Sequence, residues 1–328
     1  MARRSRATVK EAADIAREAL LLHARKRSDG DDRLGDLLIY DLTPGFKVSA
    51  AKANKAFEAA GLVPGHILPL PPDWPVAFGR ALEIVGQRIR AKDYRLMDAK
   101  KDNGTRRVGI LAVARNGKVT TDHEATVSCP SSTDGGAPYV ENGTGFAREI
   151  AQAILDVAEA LHEVYTTDDI RTAIVQHLNR WYGLPLRRQP PYVAYWIPAA
   201  GGDEIRKLRD VIESLGAGEI QLMTGYASDP DSKRMAVSTV NKGLESSLNE
   251  FKAEVEKYTT KPADTTRAST IEAMIEDAKH LREQGALYRE ILGAAVESVE
   301  ADYKKIEKTL RKHLGIVEEA HADDVEAT

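Results

Sequence analysis

Apolar residues recur at steps of three and four through the C-terminal third of the chain, from about Ser232 to Ile316. A first stripe runs Val237, Val240, Leu244, Leu248, Phe251, Val255 and Tyr258. A second runs Ile271, Met274, Ala278, Leu281, Tyr288, Leu292, Ala295, Val299, Tyr303, Ile306, Leu310 and Leu314, with Gly285 at the one stripe position lacking a side chain. Alternating steps of three and four hold one seam of a helix apolar, the coiled-coil pattern. The tract from Thr259 to Thr266 contains Pro262 and several Thr and Asp residues, which interrupt helices and favour caps and turns. The pattern therefore predicts a helical hairpin with arms of about 27 and 45 residues, or about 40 and 67 Å. The longer arm overhangs the shorter. Its seam, with Leu281, Tyr288, Leu292, Val299, Ile306 and Leu310, requires cover from the chain's own globular part or from another copy. Gly285 marks a kink or a close helix crossing.

Upstream, both periodicities occur. Residues 7–27 read as an amphipathic helix ended by Ser28-Asp29-Gly30-Asp31-Asp32, a solvated linker without the acidic spacing of a calcium loop. Leu34–Tyr40 is a short apolar run. Ser49 is an N-cap for a helix over 50–60 that Gly61 stops, and Asp73-Trp74-Pro75 opens another to about Ile89. This pair reads as a packing module rather than a helix-turn-helix reader, because its first helix carries only Lys52 and Lys55 as cations. Residues 94–129, with Asn-Gly at 103–104 and 116–117, predict an antiparallel three-stranded meander. A long Gly/Ser/Thr loop spans 131–145, and helices follow at 146–164 and 167–181. Strands at 184–187 and 192–197, a helix at 203–215 and a strand at 219–223 predict a βαβ unit with at least one parallel pair.

The fold class is α+β, with a helical N-terminal region (1–90) and an α/β domain (91–226). The domain holds a small mixed sheet, the meander plus the βαβ unit, flanked by helices. The helical hairpin or coiled coil (227–316) and a disordered acidic tail (317–328) complete the expected order.

Composition narrows the function classes. The 328 residues are 42% hydrophobic and 29% charged with net charge −4, which fits a globular chain without a global basic field. One cysteine, Cys129, precludes a disulfide within the chain and fits a reducing compartment. No run of eighteen apolar residues occurs, and acids interrupt the stretch after the basic N-terminus, so the expected location is cytoplasmic with no membrane partner.

Candidate chemistry is sparse. The turn at Gly201 and Gly202 joins a strand to a helix N-terminus, where anions can bind, but it lacks the lysine of a phosphate loop, and Asp203 would repel phosphate. Asn142, Gly143 and Thr144 form a second candidate ligand or partner loop. Trp181 with Arg187 and Arg188, and the basic N-terminal Arg3, Arg4 and Arg6, are candidate nucleic-acid contacts. The eight histidines do not cluster, and no zinc or nucleophile motif is present. No catalytic residue, metal site or cofactor is implied.

Lys47-Val48-Ser49, Ala60-Gly61-Leu62, Leu68-Pro69, Ala81-Leu82 and Tyr195-Trp196-Ile197-Pro198 resemble an uncharacterised group of bacterial and bacteriophage proteins over roughly Phe46 to Tyr226. That group has no assigned activity, so the resemblance implies only a phage-related or bacterial setting. The reading is a non-enzymatic interaction or assembly protein that binds itself or another protein through its C-terminal helices. The alternatives are a nucleic-acid-binding accessory protein, and an enzyme with a site between the 131–145 loop and the 198–203 turn.

Overall fold

The computed structural model describes residues 32–89, 94–98, 105–112, 124–132, 135–187, 193–260, 267–293 and 299–326. The elements in chain order are β1 (Arg33–Leu42), β2 (Lys47–Ser49), α1 (Ala50–Ala59), α2 (Pro64–Ile67), α3 (Trp74–Ile89), β3 (Tyr94–Asp98), β4 (Arg106–Ala112), β5 (Ala125–Cys129) and β6 (Tyr139–Gly143). They continue with α4 (Gly145–Glu159), β7 (Val164–Thr166), α5 (Thr167–Arg180), β8 (Leu184–Arg187), β9 (Val193–Pro198), α6 (Gly202–Ser214), β10 (Gly218–Tyr226), α7 (Pro230–Thr259), α8 (Ala268–Leu292) and α9 (Glu300–Glu326). The α+β class holds. The described residues form two compact units that cut across the consecutive blocks expected from sequence: those within 32–43, 60–67 and 173–326 form one, and those within 44–59 and 68–172 form the other.

In the first unit, four strands lie in the order β10-β1-β9-β8, and every pair is antiparallel. The expected parallel pair is absent because β1 inserts between β9 and β10. Leu38 faces Tyr195 on one side and Leu222 on the other. The crossover through α6 still links two strands of like direction, but across one intervening position, a split βαβ arrangement. Leu34, Leu38, Tyr40 and Leu42 of β1 are buried, and Leu37 packs partly against the helical core. A strand covered on both faces shows as a continuous apolar run, so its period alone identifies no element.

The C-terminal helices cover one face of this sheet. Val240, Leu244, Leu248, Phe251 and Val255 of α7 join Ile271, Met274, Ala278 and Tyr288 of α8 and Tyr303, Ile306 and Leu310 of α9 in one core with Trp196 and Leu184. The expected 45-residue arm is broken. Gly293 follows α8 with φ +87°, a conformation that penalises any residue with a Cβ, and its N–H caps the carbonyl of Arg289 at 2.9 Å. The arm then folds back. Ion pairs Arg289–Glu300 (3.7 Å) and Arg282–Glu307 (2.8 Å) set α9 antiparallel to α8. At Gly285 a Cβ would lie 2.6 Å from Cγ2 of Val299, so this glycine is a close helix crossing rather than a kink. The acidic tail is not a separate disordered segment, since α9 continues through Glu326. Its Glu and Ala residues have high helix propensity.

The second unit holds a four-stranded antiparallel sheet, β3-β4-β5-β6. The expected meander is its first three strands; the two Asn-Gly turns lie outside the described residues. Phe78, Ala81, Leu82 and Val85 of α3 and Ile150, Ala151 and Ile154 of α4 pack on Val108, Ile110, Ala125 and Val127 of the central strands. Ser49 and Asp73 accept N–H bonds from Lys52 (3.3 Å) and Val76 (3.0 Å), opening α1 and α3 where the sequence places them. The helix expected over 146–164 ends at Glu159, and Val164–Thr166 pair with β2 instead. Asp169 then accepts from the Thr166 N–H (2.8 Å) and hydroxyl (2.9 Å) and from both terminal nitrogens of Arg80 at 2.8 and 2.6 Å.

Candidate functional site

The six seam residues come together, but inside the first unit. Tyr288, Leu292, Val299, Ile306 and Leu310 are buried and Leu281 is half-buried against the same core. The chain's own sheet and helices supply the cover that the stripe required. Two polar groups on α8 do more than pack. The Tyr288 hydroxyl is shared between the carbonyls of Tyr182 (2.8 Å) and Trp196 (3.1 Å). Nε2 of Gln284 donates to the carbonyls of Tyr182 (3.1 Å) and Gly183 (3.2 Å). Together they clamp the turn from α5 into β8, where Tyr182 adopts φ +55°, uncommon for a bulky side chain. Burial pushes the Tyr288 hydroxyl well above its ordinary pKa, so it stays a donor.

The other candidates disperse. Trp181 is buried, with no ring face open for a base to stack on. Arg3, Arg4, Arg6 and Arg188, and the side chain of Arg187, lie outside the described residues. Asn142 and Gly143 are not loop residues: they pair with Thr126 and Ala125 in β6, and Thr144 precedes α4 without making a side-chain cap bond. The β6 residues lack alternation, which hid the strand in a Gly-rich stretch. Gly201 is packed against Trp181 and Ile197, and at Gly202 a Cβ would meet Asp36 Oδ2 at 2.5 Å. The turn is filled by the chain's own ions. Asp36, fully buried, accepts from Thr224 (2.5 Å), Arg206 (3.1 Å) and Arg33 (3.4 Å). Sequence reasoning missed this network because its members are up to 188 positions apart.

Reactive groups are held in unreactive states. Cys129 is buried, and burial, with the charge of Asp73, pushes its thiol up to about 11, so the nucleophilic thiolate is scarce at neutral pH. The Ser128 hydroxyl donates to Glu141 at 2.5 Å and Arg107 Nε to the same oxygen at 2.8 Å. These contacts, the serine's first, hold the Glu141 carboxyl below its ordinary value, which makes it a weak base. Among the described residues no three His, Cys, Asp or Glu side chains are placed to hold a metal ion.

His177 is 2% exposed, and burial followed by the charge of Arg180 pushes its pKa down to about 3. In the unfolded chain the ordinary value is 6.5, so between those values the unfolded state binds the extra proton and acid destabilises the fold. Linkage gives a loss of about 2 kcal/mol between pH 7 and 5 from this residue. His177→Leu, of similar volume, is expected to flatten the dependence of urea midpoint on pH over that interval. An unchanged slope would refute the assignment.

The sheet's two edges differ. β8 has four residues, contains Pro185 and shifts register beside it, features that deter further pairing. β10 has nine residues, no proline and no lysine, and among the described elements pairs only with β1. Met223 on β10 is 52% exposed; Tyr226 and, at the start of α7, Met235 are exposed as well.

The chain is thus an α+β protein with an antiparallel split-βαβ sheet under three long helices. It belongs to a family of unknown function, DUF6744, whose profile matches residues 33–321. No curated protein and no solved structure matches the chain. No helix of the described residues is long and apolar enough to cross a membrane.

Proposed function

We propose that this chain is a non-enzymatic assembly protein that pairs with a second copy of itself along β10. The observation that carries this reading is the long edge of β10, which among the described residues pairs with no strand beyond β1, beside exposed Met223 and Tyr226. Edge-to-edge antiparallel pairing about Leu222 is self-complementary, as a two-fold dimer requires. It sets Glu219 opposite Gly225, and Gln221 opposite Met223, of the second copy, so no like charges meet. The C-terminal helices contribute by bracing the sheet rather than by offering their apolar seam, which is buried. Among the described residues, Cys129 and Glu141 are held in unreactive states, which favours binding over catalysis, and the sequence resemblance favours a bacterial or phage-related setting.

Light scattering over a tenfold concentration range tests the proposal. The expected result is a dimer that Met223→Lys converts to a monomer with an unchanged melting temperature, because lysine on an edge blocks further pairing. A monomer at every concentration, or a dimer that survives Met223→Lys, would overturn it. Truncation at Thr260 is no test, since it removes α8 and α9 from the core.

A further inference from the structure

A cleft of about 230 Å³ opens in the first unit between α7, α8 and the turn into β8. Glu250 and Glu254 approach it from α7, and Asp277 from α8. Neither Glu254 nor Asp277 has an ion-pair partner among the described residues. Partial burial, and then the nearby charges of Glu254 and Glu276, raise the Asp277 carboxyl above its ordinary value.

A second observation is independent of the acids. Gln284 also lines the cleft and is 3% exposed. Its Nε2 is engaged by the carbonyls of Tyr182 and Gly183, which fixes the orientation of the amide. Its Oε1 has no hydrogen-bond partner. This buried acceptor is therefore left to take a donor from a molecule bound in the cleft. Phe251 and Leu281 give the cleft apolar wall. His280, stacked on Tyr182 at 5.1 Å, is held below its ordinary pKa by burial and so brings no cation of its own at neutral pH. The acids do not converge on one point as metal ligands do.

We propose that this cleft binds a small aliphatic ammonium ion. Its stem lies against Phe251 and Leu281, its charge is held by Glu254 and Asp277, and Gln284 Oε1 serves as a further acceptor. Strong donors, a positive charge and a short apolar chain are the complement of this lining. The site lies apart from β10 and does not depend on the dimer.

Calorimetric titration of the full chain with cadaverine at low ionic strength tests it, with pentanediol as the neutral isostere and magnesium chloride as competitor. Saturable binding of cadaverine, none of pentanediol, and little displacement by magnesium at matched ionic strength are expected. The double variant Glu254→Gln, Asp277→Asn is expected to weaken binding by roughly tenfold, the combined effect of two partly exposed ion pairs. Among the described residues neither side chain makes a hydrogen bond or ion pair within the fold, so the melting temperature of the double variant should stay close to that of the wild type. Failure of cadaverine to saturate, equal displacement by magnesium, or unchanged affinity in the double variant would overturn the proposal. The last two outcomes would identify only a diffuse acidic surface.

Discussion

Tyr288→Ala is expected to lower the stability of the first unit by roughly 4–6 kcal/mol, a large fraction of the about 5–15 kcal/mol that holds a typical domain folded. Two effects add. Tyr288 is fully buried in the core shared by α7, α8, α9 and the sheet, so truncation opens a cavity that rigid neighbours cannot fill; aromatic truncations of this type cost about 3–5 kcal/mol. The hydroxyl also leaves the carbonyls of Tyr182 and Trp196, which lie where water has little access. That loss is about 1–3 kcal/mol, and Tyr288→Phe isolates it. Gln284 still donates to Tyr182, which keeps the polar share toward the lower bound. Urea denaturation followed by tryptophan fluorescence reads both variants, since Trp196 reports on this core. A loss below about 2 kcal/mol for Tyr288→Ala would show that the clamp does not hold α8 to the sheet.

Asp36→Ala should cost about 3 kcal/mol, near the lower end for breaking a buried ion pair. The carboxylate is fully buried and accepts from two guanidinium groups and a hydroxyl. The side chains of Arg33 and Arg206 are 24% and 31% exposed, so once Asp36 is gone they can turn toward water, and the residual penalty falls. Removing Arg206 instead leaves the buried carboxylate with Arg33 and Thr224 alone. Arg206→Met is therefore expected to destabilise at least as strongly as Asp36→Ala, although it deletes the more exposed member. Lys207→Ala, which breaks the half-exposed pair with Glu204, should change stability by no more than about 1 kcal/mol. If the three variants proved equal in thermal unfolding, the Asp36 network would be ordinary surface electrostatics.

Much of the helical part was legible from local chemistry. Ser49 and Asp73 accept N–H bonds from Lys52 and Val76 at the two helix starts where the sequence places them, and the stripe beginning at Val237 lies on α7. Contacts within a few residues of one another decide such starts. The meander was legible for a similar reason, since β4 and β5 combine β-favouring residues with turn residues close by in sequence. The strand β6 was not, because its five residues carry no period and only pairing with β5 holds them extended. The candidate anion turn at Gly201 and Gly202 failed for a different cause. Local sequence showed its glycines but not that Asp36, Arg33 and Arg206 would occupy the space beside them.

Local sequence was enough to place most helix starts and six of the described strands, the apolar faces of α7 and α8, and the α+β class, but not the break between α8 and α9. Those properties follow from capping, propensity and period, which act over one or two turns of chain. Only the tertiary structure decided what covers each face. Gly293 permits the reversal that lays α9 back along α8, and β1 enters between β9 and β10 from more than 150 residues away in sequence. Burial of the seam, the clamp of Gln284 and Tyr288 on the 182–183 turn, the open edge of β10 and the acidic cleft all follow from those long-range choices. Each depends on which apolar surfaces find one another, a property of the whole chain that no local window contains.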